Sequence, residues 1–140
     1  GIETANRDET ARIVRRLERH GLKTLDLTDN EMAKTHLRHM VGGRAPWSGD
    51  RRATRAANEL LYRFEFPERP GALMRFLDNM RSDWNISLFH YRNQGADYGR
   101  VLVGIQVPPA EMRQFRRFLD ELGYPCADES RNPAYRLFLG

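Results

Sequence analysis

Cysteine is almost absent from this 140-residue chain. Cys126 stands alone, which excludes an internal disulfide and a zinc site built on cysteine pairs. Lysine is nearly as scarce: of the 23 lysine and arginine residues, only Lys23 and Lys34 are lysines. No apolar run approaches the roughly 18 residues of a membrane-spanning helix. The opening GIETANRDETAR has no apolar signal-peptide core. Together these gaps predict no membrane partner and a reducing, cytoplasmic setting. The fingerprints of catalysis are missing too, with no HExxH, Walker loop, GxSxG or dinucleotide motif. His36 and His39 lie three apart on a predicted helix, but no further ligand cluster accompanies them, so no metal is expected. Lys23 and Lys34 stand in polar contexts unsuited to a Schiff base, and Cys126 reads as a small residue packed beneath a helix.

What is present is arginine and regular apolar periodicity. The net charge is +4, yet acids interleave with the arginines in ETARIVRRLERH and EMRQFRRFLDEL, which predicts solvated helix faces rather than a polyanion site. Residues 8–20 read as a helix with Ile13, Val14 and Leu17 on one face, ended by Gly21. Leu22–Leu27 reads as a short strand. Thr28 and Glu31 have capping-box spacing ahead of a helix over 29–40, with Ala33, Leu37, Met40 and Val41 on its stripe. Residues 42–58 hold glycines, Pro46 and Ser48 and read as a linker.

From residue 60 the pattern is tighter. LLYRFEF alternates as a half-buried strand, with Leu60, Tyr62, Phe64 and Phe66 on one face. PERPGALMRFLDNM turns into a helix with Pro70 in its first turn and Leu73, Phe76, Leu77 and Met80 inward. Trp84–Arg92 is the next strand, followed by the turn NQGADYG and a strand over Arg100–Val107. A helix over 110–122 places Met112, Phe115, Phe118, Leu119 and Leu122 inward. Gly123 ends it, Tyr124–Ala127 supplies a last strand, and the tail AYRLFL is expected to add an edge strand. The order is β-α-β-β-α-β. It predicts an α+β, ferredoxin-like fold, an antiparallel sheet with two helices on one face. The first and third strands should be central, with the second beside the third at an edge.

Two stretches invite a closer reading. LERHGLKTLD (17–26) aligns with LDELGYPCAD (119–128): leucine, acid, glycine, apolar residue, aspartate. This is either a coincidence of a common helix-stop pattern or the α-β end of an earlier copy of the same module. FPERPGAL (66–73) is either a rigid β-to-α turn or the start of a binding site. A helix N-terminus carries unpaired N–H groups and partial positive charge, which suits a carboxylate. Gly71 permits close approach, and Leu73 and Leu77 form an apolar wall. Phe89, Tyr91 and Arg92 on the edge strand are expected to reach such a pocket from a neighbouring module, since edges pair between subunits, while strict alternation sets Phe89 and Tyr91 opposite Ile86 and Leu88.

The combination DLTDNEMAKTHLRHMVGGR, YRFEFPERPGALMRFLDNM, WNISLFHYRNQGADYGRVLVG and NPAYRLFLG closely resembles the C-terminal regulatory region of the biosynthetic threonine dehydratase (threonine ammonia-lyase) family. The resemblance covers residues 22–139. It implies an ACT-like subdomain at 59–140, a linker at 42–58, and at 1–41 the α-β end of a first ACT-like subdomain with a connecting helix. It implies no catalysis by this chain itself, since the pyridoxal phosphate of the family belongs to a catalytic domain outside it. It further implies allosteric control of isoleucine biosynthesis, with isoleucine as inhibitor and valine as its counter-effector, a homodimer of this region and a homotetramer of the full enzyme. The family's Tyr-Arg pair maps onto Tyr91 and Arg92. The expected effector site is Glu68, Pro70, Gly71, Ala72, Leu73, Leu77, Phe89, Tyr91 and Arg92. Two alternatives stay open: a dimerisation or coupling module without its own effector site, and an RNA-binding ferredoxin-like module. The latter is disfavoured because RVLVGIQV offers no exposed aromatics for stacking.

Overall fold

A computed structural model describes residues 4–36, 58–93, 95 and 97–138. Strands β1 (Glu59–Pro67), β2 (Asn85–Arg92), β3 (Tyr98–Gln106) and β4 (Cys126–Asp128) form one antiparallel sheet in the order β2-β3-β1-β4. Helices α3 (Ala72–Asn79) and α4 (Met112–Leu122) connect them, so the expected βαββαβ order is realised. The register Phe64↔Val101 and Tyr62↔Val103 aligns the apolar positions of β1 and β3 on one face. Helices meet that face through Phe76, Phe115, Phe118 and Leu122, closing a core of interlocked rings with Phe64, Phe66 and Trp84. Burying each such side chain stabilises the fold by about 1.5–3 kcal/mol.

Both ends of α4 obey simple rules. A 3-10 turn at Pro109–Glu111 leads in, and Gly123 leads out at φ +67 with its N–H on the Leu119 carbonyl. Glu111 also accepts from the Trp84 indole at 2.7 Å, anchoring the residue before β2. Gly21 ends α1 (Arg7–Arg19) in the same left-handed conformation, φ +75.

The opposite face of the sheet holds what sequence periodicity did not anticipate. The tail is no edge strand. It folds as a helix, α5 (Pro133–Phe138), which inserts Ala134 and Tyr135 into a second buried cluster with Leu61, Leu102, Met32 and Ala33. Six residues suffice because Asn132 Oδ1 accepts from the Ala134 N–H at 3.0 Å, an N-cap. Beside it lies α2 (Glu31–His36). Its cap is Asn30, which accepts from Ala33 N–H at 2.9 Å, not Thr28, whose hydroxyl donates to Asp26. The two capping amides also bond each other, at 2.7 and 3.1 Å, so the starts of α2 and α5 are tied together. Leu37, Met40, Val41 and most of the 42–58 linker lie outside the described residues.

Other expectations need correction. Leu22–Leu27 is not a strand; a strand needs a pairing partner, and among the described residues none pairs with it. Helix α1 buries none of its residues. Pro70 precedes α3, and Gly71, at φ +86, occupies its N-cap. Leu73 and Leu77 are exposed, whereas Ala72 and Phe76 are the inward residues; at about 3.6 residues per turn the face centred on Phe76 runs back to Ala72 and on to Met80, which leaves Leu73 and Leu77 at its margin. Cys126 is exposed on edge strand β4 rather than covered by a helix, and partial burial beside Asp120 raises its thiol pKa.

Candidate functional site

Where β1 ends, Pro67 and Pro70 stiffen the chain and Gly71 turns it, so the start of α3 stands over the sheet. The hollow between this turn and β2 has a volume of about 590 Å³, within the range of about 300–1,000 Å³ typical of small-ligand sites. Phe66 and Pro67 contribute from β1, Glu68 to Met74 from the turn and α3, and Phe89 and Tyr91 from β2.

A β-bulge explains how β2 supplies two side chains to this hollow. Ile86 opposes Ile105 and Leu88 opposes Gly104, so the extra residue, Ser87, shifts the ladder by one. Ile86 therefore packs on the helix-covered core while Leu88 joins the second cluster. Beyond the bulge Phe89 opposes Val103 and Tyr91 opposes Val101. They share the face of Ile86, not the one opposite it, and reach the pocket from within the same module. Gly104 accommodates the bulge: a Cβ there would meet Ser87 Oγ at 2.6 Å. Ser87 in turn donates to Glu59, whose other oxygen accepts from Tyr135.

Of the nine expected site residues, the pocket gathers Glu68, Pro70, Gly71, Ala72, Leu73, Phe89 and Tyr91. Leu77 lies a turn further along α3, outside the lining. Arg92 faces away: its Nη1 donates to the Thr35 carbonyl at 2.9 Å, on the α2 side of the sheet. His90 points the same way and meets His36 with Nδ1 atoms 2.7 Å apart. The alternation that brings Phe89 and Tyr91 into the pocket necessarily sends His90 and Arg92 to α2.

Sequence reasoning missed Phe66, Pro67, Arg69 and Met74. Arg69 matters most. Glu68 and Arg69 place opposite charges side by side at the rim; the acid-base pair directly before Pro-Gly was the available signal. The Tyr91 phenol donates to Glu68 Oε1, and this bond raises the Tyr91 pKa, with burial and the carboxylate charge adding to it. The Glu68 N–H donates to Asp97 O at 2.9 Å. Tyr124 donates to the Ala72 carbonyl at 3.0 Å and so fixes the first turn of α3. That turn presents backbone N–H groups and the positive end of the helix dipole.

Sheet order and helix placement define the class: an ACT-like module of the ferredoxin-like type, with a mostly apolar hollow at its first β-to-α turn. The family profile described as the C-terminal regulatory domain of threonine dehydratase matches residues 50–139, and the chain belongs to that family. It is 59% identical over 139 residues to L-threonine dehydratase biosynthetic IlvA of Burkholderia multivorans, covering 99% of this chain and 26% of that relative. The Escherichia coli enzyme of the same name is 49% identical over 132 residues, 94% of this chain and 24% of its own length. The mitochondrial threonine dehydratase of Saccharomyces cerevisiae is 47% identical over 131 residues, 94% and 21%. The chain thus spans about a quarter of the length of these curated relatives. Among the described residues no helix is long and apolar enough to cross a membrane.

Proposed function

We propose that this chain is the effector-sensing part of a biosynthetic threonine ammonia-lyase and that its pocket takes a branched-chain amino acid. The observation that carries the reading is the adjacent Glu68–Arg69 pair at the rim of an otherwise apolar hollow. Glu68 accepts from the effector's ammonium. Arg69 and the first-turn N–H groups of α3 receive its carboxylate, in place of Arg92. The branched side chain packs on Leu73, Phe89 and Phe66. Isoleucine is the inhibitor and valine its counter-effector. Pyridoxal phosphate and the catalytic lysine belong to a catalytic domain elsewhere in the full-length protein. There residues 1–41 close a preceding ACT-like subdomain, 42–58 link it to the module at 59–140, and the assembly is a homodimer of regulatory regions within a homotetramer. Control requires that isoleucine bind the less active arrangement more tightly.

An RNA-binding role finds less support. A single-strand reader offers aromatics on an open sheet face, whereas here one face carries α3 and α4 and the other carries α2 and α5. Calorimetric titration with isoleucine, then valine, with threonine as control, tests the proposal. Saturable heat with the branched effectors, lost in Glu68→Gln, is expected. Equal heat with threonine, or none with any of the three, defeats it and leaves a coupling module without its own effector site.

A further inference from the structure

Central strands disfavour glycine, and one there usually marks a close approach. Gly99 lies on β3, paired with Phe66, and it is not among the glycines with positive φ. The backbone therefore does not demand a glycine; the space above it does. A Cβ at position 99 would stand 2.5 Å from Tyr91 Cε2, 2.6 Å from Tyr91 Oη and 2.7 Å from Glu68 Oε1. Optimal carbon contacts lie at about 3.5–4.0 Å. The bare Cα is thus the floor on which the Tyr91 ring lies and across which its phenol reaches Glu68. Two residues earlier, Asp97 holds the Glu68 backbone at 2.9 Å. Glu68 is thus held at its backbone by the Asp97 carbonyl and at its carboxylate by the Tyr91 phenol.

We propose that Gly99 is a positioning residue of the effector site: lacking a side chain, it lets Tyr91 lie flat and hold one oxygen of Glu68, which leaves the second oxygen as the acceptor for an α-ammonium group. This rests on the reading of the pocket as an amino-acid site and deepens it. The site selects α-amino acids over their deaminated keto-acid analogues because its acceptor is set before the ligand arrives. Any side chain at position 99 displaces the phenol and the carboxylate together. Both are far ends of exposed side chains, so the displacement disturbs the rim and not the core.

The test is a double-mutant cycle on the 140-residue chain, read by isoleucine calorimetry. Gly99→Ala is expected to weaken isoleucine at least about tenfold, comparable to losing one charge-assisted hydrogen bond. In a Tyr91→Ala background the same substitution should change affinity less than about twofold, because the two act as a unit. A ligand-free readout accompanies it: ring-carbon NMR titration of Tyr91 should move toward an ordinary tyrosine in Gly99→Ala. Wild-type-like binding by Gly99→Ala, additive effects in the cycle, or an unchanged Tyr91 titration each overturn the proposal. If the wild-type chain binds no amino acid, the reading of the pocket fails, and the proposal falls with it as a statement about a ligand; the NMR titration still shows by itself whether Gly99 positions Tyr91 on Glu68.

Discussion

Tyr135 offers the sharpest test of the second face. It is fully buried on α5, packed with Leu61 and Leu102, and its hydroxyl donates to Glu59. An aromatic side chain buries about 150–250 Å², which at about 25 cal/mol per Å² is worth about 4–6 kcal/mol. A realistic unfolded chain already hides about 10–40% of that surface, which brings the figure to about 3–5 kcal/mol, the usual cost of truncating a buried ring to alanine. Tyr135→Ala should therefore lose about 4 kcal/mol, with a fall in Tm on the order of 10 °C or more. Tyr135→Phe keeps the ring and removes only the donor to Glu59, at about 1–2 kcal/mol. Leu137→Ala, at a residue 55% exposed on the same helix, should stay within about 0.5 kcal/mol. Urea unfolding followed by circular dichroism measures all three. A loss below about 1 kcal/mol for Tyr135→Ala would show that the tail does not dock as a helix, and the edge-strand reading would return.

Other consequences are equally direct. Arg92→Ala removes the bond to Thr35 O, so amide exchange in α2 should quicken by about tenfold while effector affinity of this chain stays within about threefold; a larger loss of affinity with α2 unchanged would put Arg92 back in the pocket. Gly104→Ala forces a Cβ to 2.6 Å from Ser87 Oγ and 3.0 Å from Leu88 Cβ, and overpacking of this kind should cost about 1–3 kcal/mol in the same urea assay; no loss would mean that the bulge yields freely. Burial, with the Asp128 charge adding to it, pushes the Tyr62 phenol up to about 12. Its neutral form is the one the fold favours, so this contribution is full below pH ~10, the unfolded value, and is lost as pH rises toward about 12. Alkaline unfolding in that window, moved upward by Tyr62→Phe, is the expected result; a Tyr62 that titrates like free tyrosine would refute it.

The sheet and its helix-covered core were legible because Tyr62, Phe64, Val101 and Val103 alternate without interruption and Phe115, Phe118 and Leu122 repeat at helical spacing. Most of the pocket was legible as well, since Pro67, Pro70 and Gly71 confine the turn to few shapes. The second face was not. On that face Leu61 stands between Glu59 and Arg63, and Leu102 between Arg100 and Gly104, while α5 has six residues, too few for a period to show. Its cap, Asn132, gains much of its meaning from Asn30, a residue far away in sequence. Arg92 was misplaced because the Tyr-Arg pair was carried over from the family as a unit, although neighbours along a strand face opposite sides; the bulge at Ser87, which decides which of the two meets the hollow, leaves no mark in hydrophobic periodicity. Leu77 was misplaced for another reason: it is apolar and adjoins Phe76, but it lies about 100° around α3 from that residue, so it neither enters the core nor lines the hollow.

The bulge also gives β2 a reading frame. Upstream of Ser87 the strand is written for the core; downstream it alternates between two readers, the hollow and α2. A single residue inserted or deleted between Leu88 and Tyr91 would leave composition and length almost unchanged, yet downstream it would exchange the messages, turning the phenol toward α2 and the guanidinium toward the hollow. Variation in this strand is therefore far safer by substitution than by insertion or deletion. Two chains of this kind that differ by one residue there are expected to differ in which side chains line the hollow more than in how they fold.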